Sequence, residues 1–222
     1  MKIIQAPSPN FNDRLKQVSL IVQHYTGMES GEAALAHMRT PEAAVSSHYM
    51  VEEDGRIFQL VDEGKRAWHA GVSEWAGETD INSISIGIEI VNGGHDYGLP
   101  EYPVAQIDAV ISLTKQIMDR HVIPPHRVVG HSDIAPMRKI DPGEKFPWQR
   151  LAEAGCAIWP EQATESRDWR IDLGQIGYGF AAGEVATVEA FQRRFRPDEV
   201  TGRVDEETAR LIAAVAALMP KP

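Results

Sequence analysis

Between residues 85 and 129 the chain reads as a strand, a long helix and a second short strand, and this succession constrains the fold more than any other stretch. Ile86, Ile88 and Ile90 alternate with Gly87 and Glu89, the period-two pattern of a strand with two unlike faces. Over 103–121, Ile107, Val110, Ile111, Thr114, Ile117 and Met118 recur at helical spacing, and Pro103 suits the first helical position. The isoleucine face suits packing on that helix. Val128 and Val129 form the second strand. Upstream, 20–24 reads as a buried strand and 31–38 as a short helix, while 47–51 and 56–61 flank the hairpin turn Asp54-Gly55. Strands interleaved with helices predict an α/β (α+β) fold, a mixed central sheet flanked by helices.

From residue 161 the texture changes. The stretch 161–170 is polar, and the remainder reads as a small three-helix bundle. Val188, Phe191 and Phe195 share one helical face; Asp205 is a good N-cap for the last helix, whose stripe is Leu211, Ile212, Val215 and Leu218. The expected division is a mixed domain over 1–160 and a helical domain over 161–222, placed close together because no low-complexity linker separates them.

Composition narrows the function. A hydrophobic share of 43% and a charged share of 24% suit a globular chain with a buried core. The net charge of −10 argues against nucleic acid or an anionic membrane as main partner. No apolar run approaches the ~20 residues that span a bilayer. The N-terminus lacks the apolar core of a signal peptide, so a cytoplasmic location is expected, with the periplasm as alternative. The single cysteine, Cys156, excludes an internal disulfide and a multi-cysteine metal site and reads as a small buried residue.

The chemistry lies in the histidines and carboxylates. Within eleven residues stand His131, Lys139 and Asp141, among Pro and Gly. His24 ends the apolar run 20–24, just before a turn that can open a cleft at the sheet edge. On its own His24 would also suit a satisfied core position; beside His131 and Asp141 it reads as a ligand. Two imidazoles and one carboxylate are the donor set of a catalytic Zn2+ with an open fourth position, able to lower the pKa of a bound water towards ~7. In an extended segment Lys139 and Asp141 would face one side. Glu89, amid isoleucines and beside a glycine, is poorly explained as structure and suits a general base. Lys139 suits stabilisation of an oxyanion. His37, His95, His121 and His126 read as surface or capping residues. The Gly, Asp, Glu and Trp of 71–83 suggest a mobile rim.

These residues resemble the zinc-dependent N-acetylmuramoyl-L-alanine amidases of the AmpD/AmiD type, relatives of the peptidoglycan recognition proteins. The resemblance covers nearly the whole chain. It is carried by Ala6 to Asn12, by Val22-Gln23-His24-Tyr25-Thr26, by Val45-Ser46-Ser47-His48-Tyr49, by Ala67-Trp68-His69-Ala70-Gly71 and by Ser85-Ile86-Gly87-Ile88-Glu89. Gly130-His131-Ser132-Asp133-Ile134-Ala135 and Arg138-Lys139-Ile140-Asp141-Pro142-Gly143 complete it. It implies cleavage of the amide between the lactyl group of N-acetylmuramic acid, or its 1,6-anhydro form, and L-alanine of the stem peptide, with muropeptides as the partners. His24, His131 and Asp141 are then the zinc ligands and Glu89 and Lys139 the catalytic residues. Trp68 and His69, an aromatic and an imidazole in a glycine-flanked loop, suit contact with a glycan or simply a packed loop, and Arg138 is expected among the substrate contacts. Where some phage relatives have a catalytic tyrosine, this chain has Ser47, which leaves proton transfer to Glu89 alone. The C-terminal segment resembles the family's three-helix peptidoglycan-binding module; a structural cap on the catalytic domain is its other reading. A non-catalytic peptidoglycan-binding protein would have lost a ligand, and here all three are present.

Overall fold

The computed structural model describes residues 2–161, 168–181 and 183–220. Among these, the strands are β1 Ile3–Gln5, β2 Phe11–Asp13, β3 Leu20–Tyr25, β4 Tyr49–Val51, β5 Ile57–Gln59, β6 Lys65–Ala67, β7 Ser85–Ile90 and β8 Val128–Gly130. The α-helices are α1 Gly31–Met38, α2 Ile81–Ile84, α3 Val104–His121, α4 His131–Ile134, α5 Trp148–Glu153, α6 Trp169–Ile176, α7 Glu184–Phe195 and α8 Glu206–Ala216. Six strands form one mixed sheet in the order β1-β5-β4-β7-β3-β8, and β2 with β6 makes a separate antiparallel pair. Strands β4, β7, β3 and β8 run parallel, whereas β4 and β5 form the hairpin around Asp54 and Gly55.

Alternation decides which side chain goes where. Ile86, Ile88 and Ile90 of β7 and Ile21 of β3 pack with Ile107, Val110, Leu113 and Ile117 of α3. Leu20 and Val22 project from the opposite face. That face is covered by the C-terminal helices: Leu20, Val22 and Val129 share one core with Leu173, Phe191, Phe195, Ile212 and Val215. Helix α1 covers the remainder, with Ala34 and Met38 against Met50. Helices of eight to twelve residues, as α6, α7 and α8 are, hold little structure alone. Their joint core with the sheet supplies what local propensity does not.

Several expectations are met in detail and some are displaced. Asp205 caps α8, accepting from the Thr208 N–H, but Leu218 lies beyond the end of that helix and is 46% exposed. Pro103 stands one residue before the first turn of α3 rather than in it. Residues 162–167 of the polar stretch lie outside the described residues. The segment 71–83, expected as a mobile rim, is anchored instead. Trp75 is buried and meets Tyr178 edge-on at 4.9 Å, and the Ala76 N–H donates to the Gly177 carbonyl at 2.8 Å. Burying an indole outweighs the pull of the polar residues around it towards solvent. No described helix is long and apolar enough to cross a membrane.

Candidate active site

Three neighbouring parallel strands end at one corner of the sheet. His24 is the fifth residue of β3, Glu89 the fifth of β7, and His131 follows β8 directly. The carboxyl ends of parallel strands are where such sheets open towards ligands. Asp141 arrives from the loop beyond α4, and its carbonyl accepts the Ser132 N–H at 2.8 Å, which fastens that loop to the helix begun by His131. Lys139 and Asp141 share this cavity, but not as alternate residues of a strand. The chain turns here, with the N–H groups of Arg138 and Lys139 both donating to the Ala135 carbonyl.

The three candidate ligand atoms converge tightly. His24 Nδ1 lies 2.9 Å from His131 Nδ1 and 3.1 Å from Asp141 Oδ2, and His131 Nδ1 lies 3.0 Å from that same oxygen. All three residues are buried. Their neighbours fix which nitrogens carry protons. The Ser85 hydroxyl donates to the Ile81 carbonyl at 2.6 Å and so presents a lone pair to His69 Nε2 at 3.2 Å. His69 therefore donates from Nε2 and accepts at Nδ1, where His24 Nε2 donates at 3.0 Å. On the other side His131 Nε2 donates to the Ala70 carbonyl at 3.2 Å. Both histidines thus turn an unprotonated Nδ1 into the cluster, towards the Asp141 carboxylate.

Three lone pairs at such distances repel one another unless a cation lies among them. Two neutral imidazoles and one carboxylate are the chemistry of a zinc site with room for water, so the residues present fit the ion. The electrostatics agree. Burial, reinforced by His131, lowers His24 to about 4.

Glu89 is set differently. Its Oε2 is sealed from solvent without a hydrogen-bond partner. Burial first, and then the negative charge of Asp141, pushes its carboxyl well above the ordinary range, with Lys139 opposing. An unpartnered carboxylate oxygen in such a place is costly as structure and suited to holding a proton. The glycine beside it has a steric reason: a Cβ at Gly87 would stand 2.6 Å from the His69 ring.

All eight residues singled out in the sequence border one cavity of about 560 Å³: His24, Trp68, His69, Glu89, His131, Arg138, Lys139 and Asp141. Of the two readings of His69, the packed loop fits its surroundings better than the glycan contact. His69 is only 8% exposed and both ring nitrogens bond within the protein, because its place is behind His24. Arg138 donates to the Ala70 and Val72 carbonyls and so holds the loop whose Ala70 carbonyl receives His131. Trp68 is half-buried at the rim, its indole N–H donating to Asn12 at 2.8 Å.

Residues 14–144 match the N-acetylmuramoyl-L-alanine amidase family. The chain belongs to that family. Among its relatives, the amidase AmiD of Escherichia coli is 37% identical over 231 residues, covering 90% of this chain and 82% of AmiD. The 1,6-anhydro-N-acetylmuramyl-L-alanine amidase AmpD of Haemophilus influenzae is 34% identical over 166 residues, 66% of this chain and 88% of AmpD. The structure of E. coli AmiD with anhydro-N-acetylmuramic acid-L-Ala-D-gamma-Glu-L-Lys superposes with a TM-score of 0.80 at 36% identity, over 90% of this chain and 89% of that one. AmpDH3 from Pseudomonas aeruginosa in complex with anhydromuramic pentapeptide superposes at 0.81, also at 36% identity, over 90% and 91%. The mixed sheet with flanking helices is therefore the amidase fold, and the protein is an amidase.

This amidase has further residues around the cavity that the sequence did not single out. His95, read as a surface or capping residue, lines the cavity and bonds the Tyr25 hydroxyl and Glu144. Asn82 accepts from the His69 and Ala70 N–H groups and fixes the loop behind His24 and His131. The signals for both are tertiary; nothing in local spacing announces them.

Proposed function

We propose that the chain is a zinc-dependent amidase of peptidoglycan recycling. It cleaves the bond between N-acetylmuramic acid, above all its 1,6-anhydro form, and L-alanine of the stem peptide. The observation that carries this reading is the convergence of three lone pairs from His24 Nδ1, His131 Nδ1 and Asp141 Oδ2 within hydrogen-bond distance of one another. Zinc bound there supplies a Lewis acid that makes water a stronger nucleophile near neutral pH. Glu89 takes the proton released as water attacks the lactyl carbonyl, and returns it to the alanine nitrogen as the amide breaks. Lys139 faces the negative charge that develops on the carbonyl oxygen. Trp68 and Arg138 at the rim contact the sugar and the peptide.

Release of stem peptide from a 1,6-anhydro-muropeptide, with and without a chelator, tests the reading. Activity abolished by chelation and restored by stoichiometric zinc is expected; an unaffected rate defeats it. The second reading, action on intact murein in the periplasm, is favoured by the C-terminal helices, whose proposed role is to bring the enzyme to polymer. Turnover of sacculi above that of anhydro-muropeptide, with recovery from the periplasmic fraction, would replace recycling by wall hydrolysis.

A further inference from the structure

Helix α7 carries Arg193 and Arg194 in succession, and both reach out of their own bundle. The Arg194 side chain is 4% exposed and pairs with Asp133, which is 1% exposed. Its Nη1 donates to Asp133 Oδ2 at 2.9 Å and its Nη2 to the Val128 carbonyl at 3.1 Å, while the guanidinium lies over the Trp148 ring at 4.1 Å. Tyr178, just after α6, donates to Asp133 Oδ1 at 2.6 Å. Asp133 Oδ2 also accepts the Gly130 N–H at 2.8 Å, so this carboxylate spans the start of α4, whose first residue is His131. Helix α4 has four residues, and a single turn cannot set its own pose. What grips it from outside sets it. The adjacent Arg193 makes a parallel contact, donating to Glu144 at 2.7 Å; Glu144 in turn bonds His95 at the cavity wall.

We propose that the C-terminal bundle is a working part of the hydrolytic site. Arg194 and Tyr178, acting through Asp133, are positioning residues that hold His131 where it can ligate metal. The effect on metal affinity rests on the zinc reading above; the effect on α4 does not. In Tyr178→Phe one bond to Asp133 is lost and no buried charge is left unpaired, and Arg194→Lys keeps the charge but not the fork. Two measurements on the full chain decide. Amide exchange over 130–134 in metal-stripped protein is expected to quicken about tenfold in Tyr178→Phe, with β3 and β7 keeping parental protection. Zinc affinity, by competition with a chromophoric chelator, is expected to fall about 10-fold in Tyr178→Phe and further in Arg194→Lys, the range for outer partners of a ligand. Parental exchange at 130–134 overturns the proposal, as does exchange quickened evenly along the chain, which marks a general loss of stability. A parent that takes up no zinc defeats the metal reading, while the exchange result still decides the anchor.

Discussion

His24 and Glu89 stand directly opposite each other on the parallel strands β3 and β7. Both leave the same face of the sheet, so the strand register itself brings the proposed base to the corner where His24, His131 and Asp141 meet. A slip of one residue in β7 would place isoleucine beside His24 and drive Glu89 into the core against α3. Glu89→Ala is expected to keep its zinc and lose roughly 10²–10⁴-fold in turnover, the range for lost general-base help. Metal content and turnover are measured on the same preparation. Near-parental turnover would remove Glu89 from proton transfer.

The role proposed for Lys139 is to face charge that exists only as the amide is attacked. Its positive charge reaches both His24 and Glu89 across the cavity. Lys139→Met is expected to lower kcat by about 10²–10³-fold with KM little changed, the signature of a group that matters in the transition state. A rise in KM with kcat intact would make Lys139 a substrate-binding residue instead.

The chain Ile81–Ser85–His69–His24 holds the proton of His24 on Nε2. In Ser85→Ala, His69 loses the acceptor that fixes its tautomer. Zinc affinity should then fall about 10-fold. Nitrogen chemical shifts of His24 in the metal-free protein should show a mixture of tautomers. Parental affinity with a mixed tautomer would show that the relay orders the ring without strengthening the site.

The sheet was legible because its strands obey simple alternation. Ile86, Ile88 and Ile90 face α3, and the residues between them, with Leu20, Val22 and His24, face the other way. The meeting of His24, His131 and Asp141 was legible because residue chemistry and strand ends coincide at His24 and His131. The place of His69 was not, because a histidine beside tryptophan in a glycine-flanked loop looks the same whether it faces solvent or backs a ligand. Nor was the anchoring of 71–83, which depends on Trp75 meeting Tyr178 from a segment a hundred residues later. The bundle could be recognised as helical, but its burial of Leu20 and Val22 is a property of two surfaces meeting. The reach of Arg194 to Asp133 belongs to the same class, since neither residue's neighbours in sequence point to the other.

Glu63 offers a test of the fold's own electrostatics, away from the cavity. It accepts from the Tyr49 hydroxyl at 2.7 Å and from Arg120, and His121 lies 2.7 Å from its other oxygen, so one carboxylate ties β4 to the end of α3. Burial works to raise its pKa, but the bonds from Arg120, Tyr49 and His121 win and lower it from an ordinary 4.5 to about 2. A carboxyl whose pKa is lower folded than unfolded stabilises the fold in full above the unfolded value and loses that contribution as pH falls towards the folded one. The window is therefore pH 4.5 down to about 2. At neutral pH the shift corresponds to roughly 3 kcal/mol, the side chain being only 14% exposed. Urea unfolding of the parent and Glu63→Gln is expected to differ by about that amount at pH 7 and to converge as pH approaches 2. A difference that stays constant across this window would mean that the contribution of Glu63 comes from packing and shape, not from its charge.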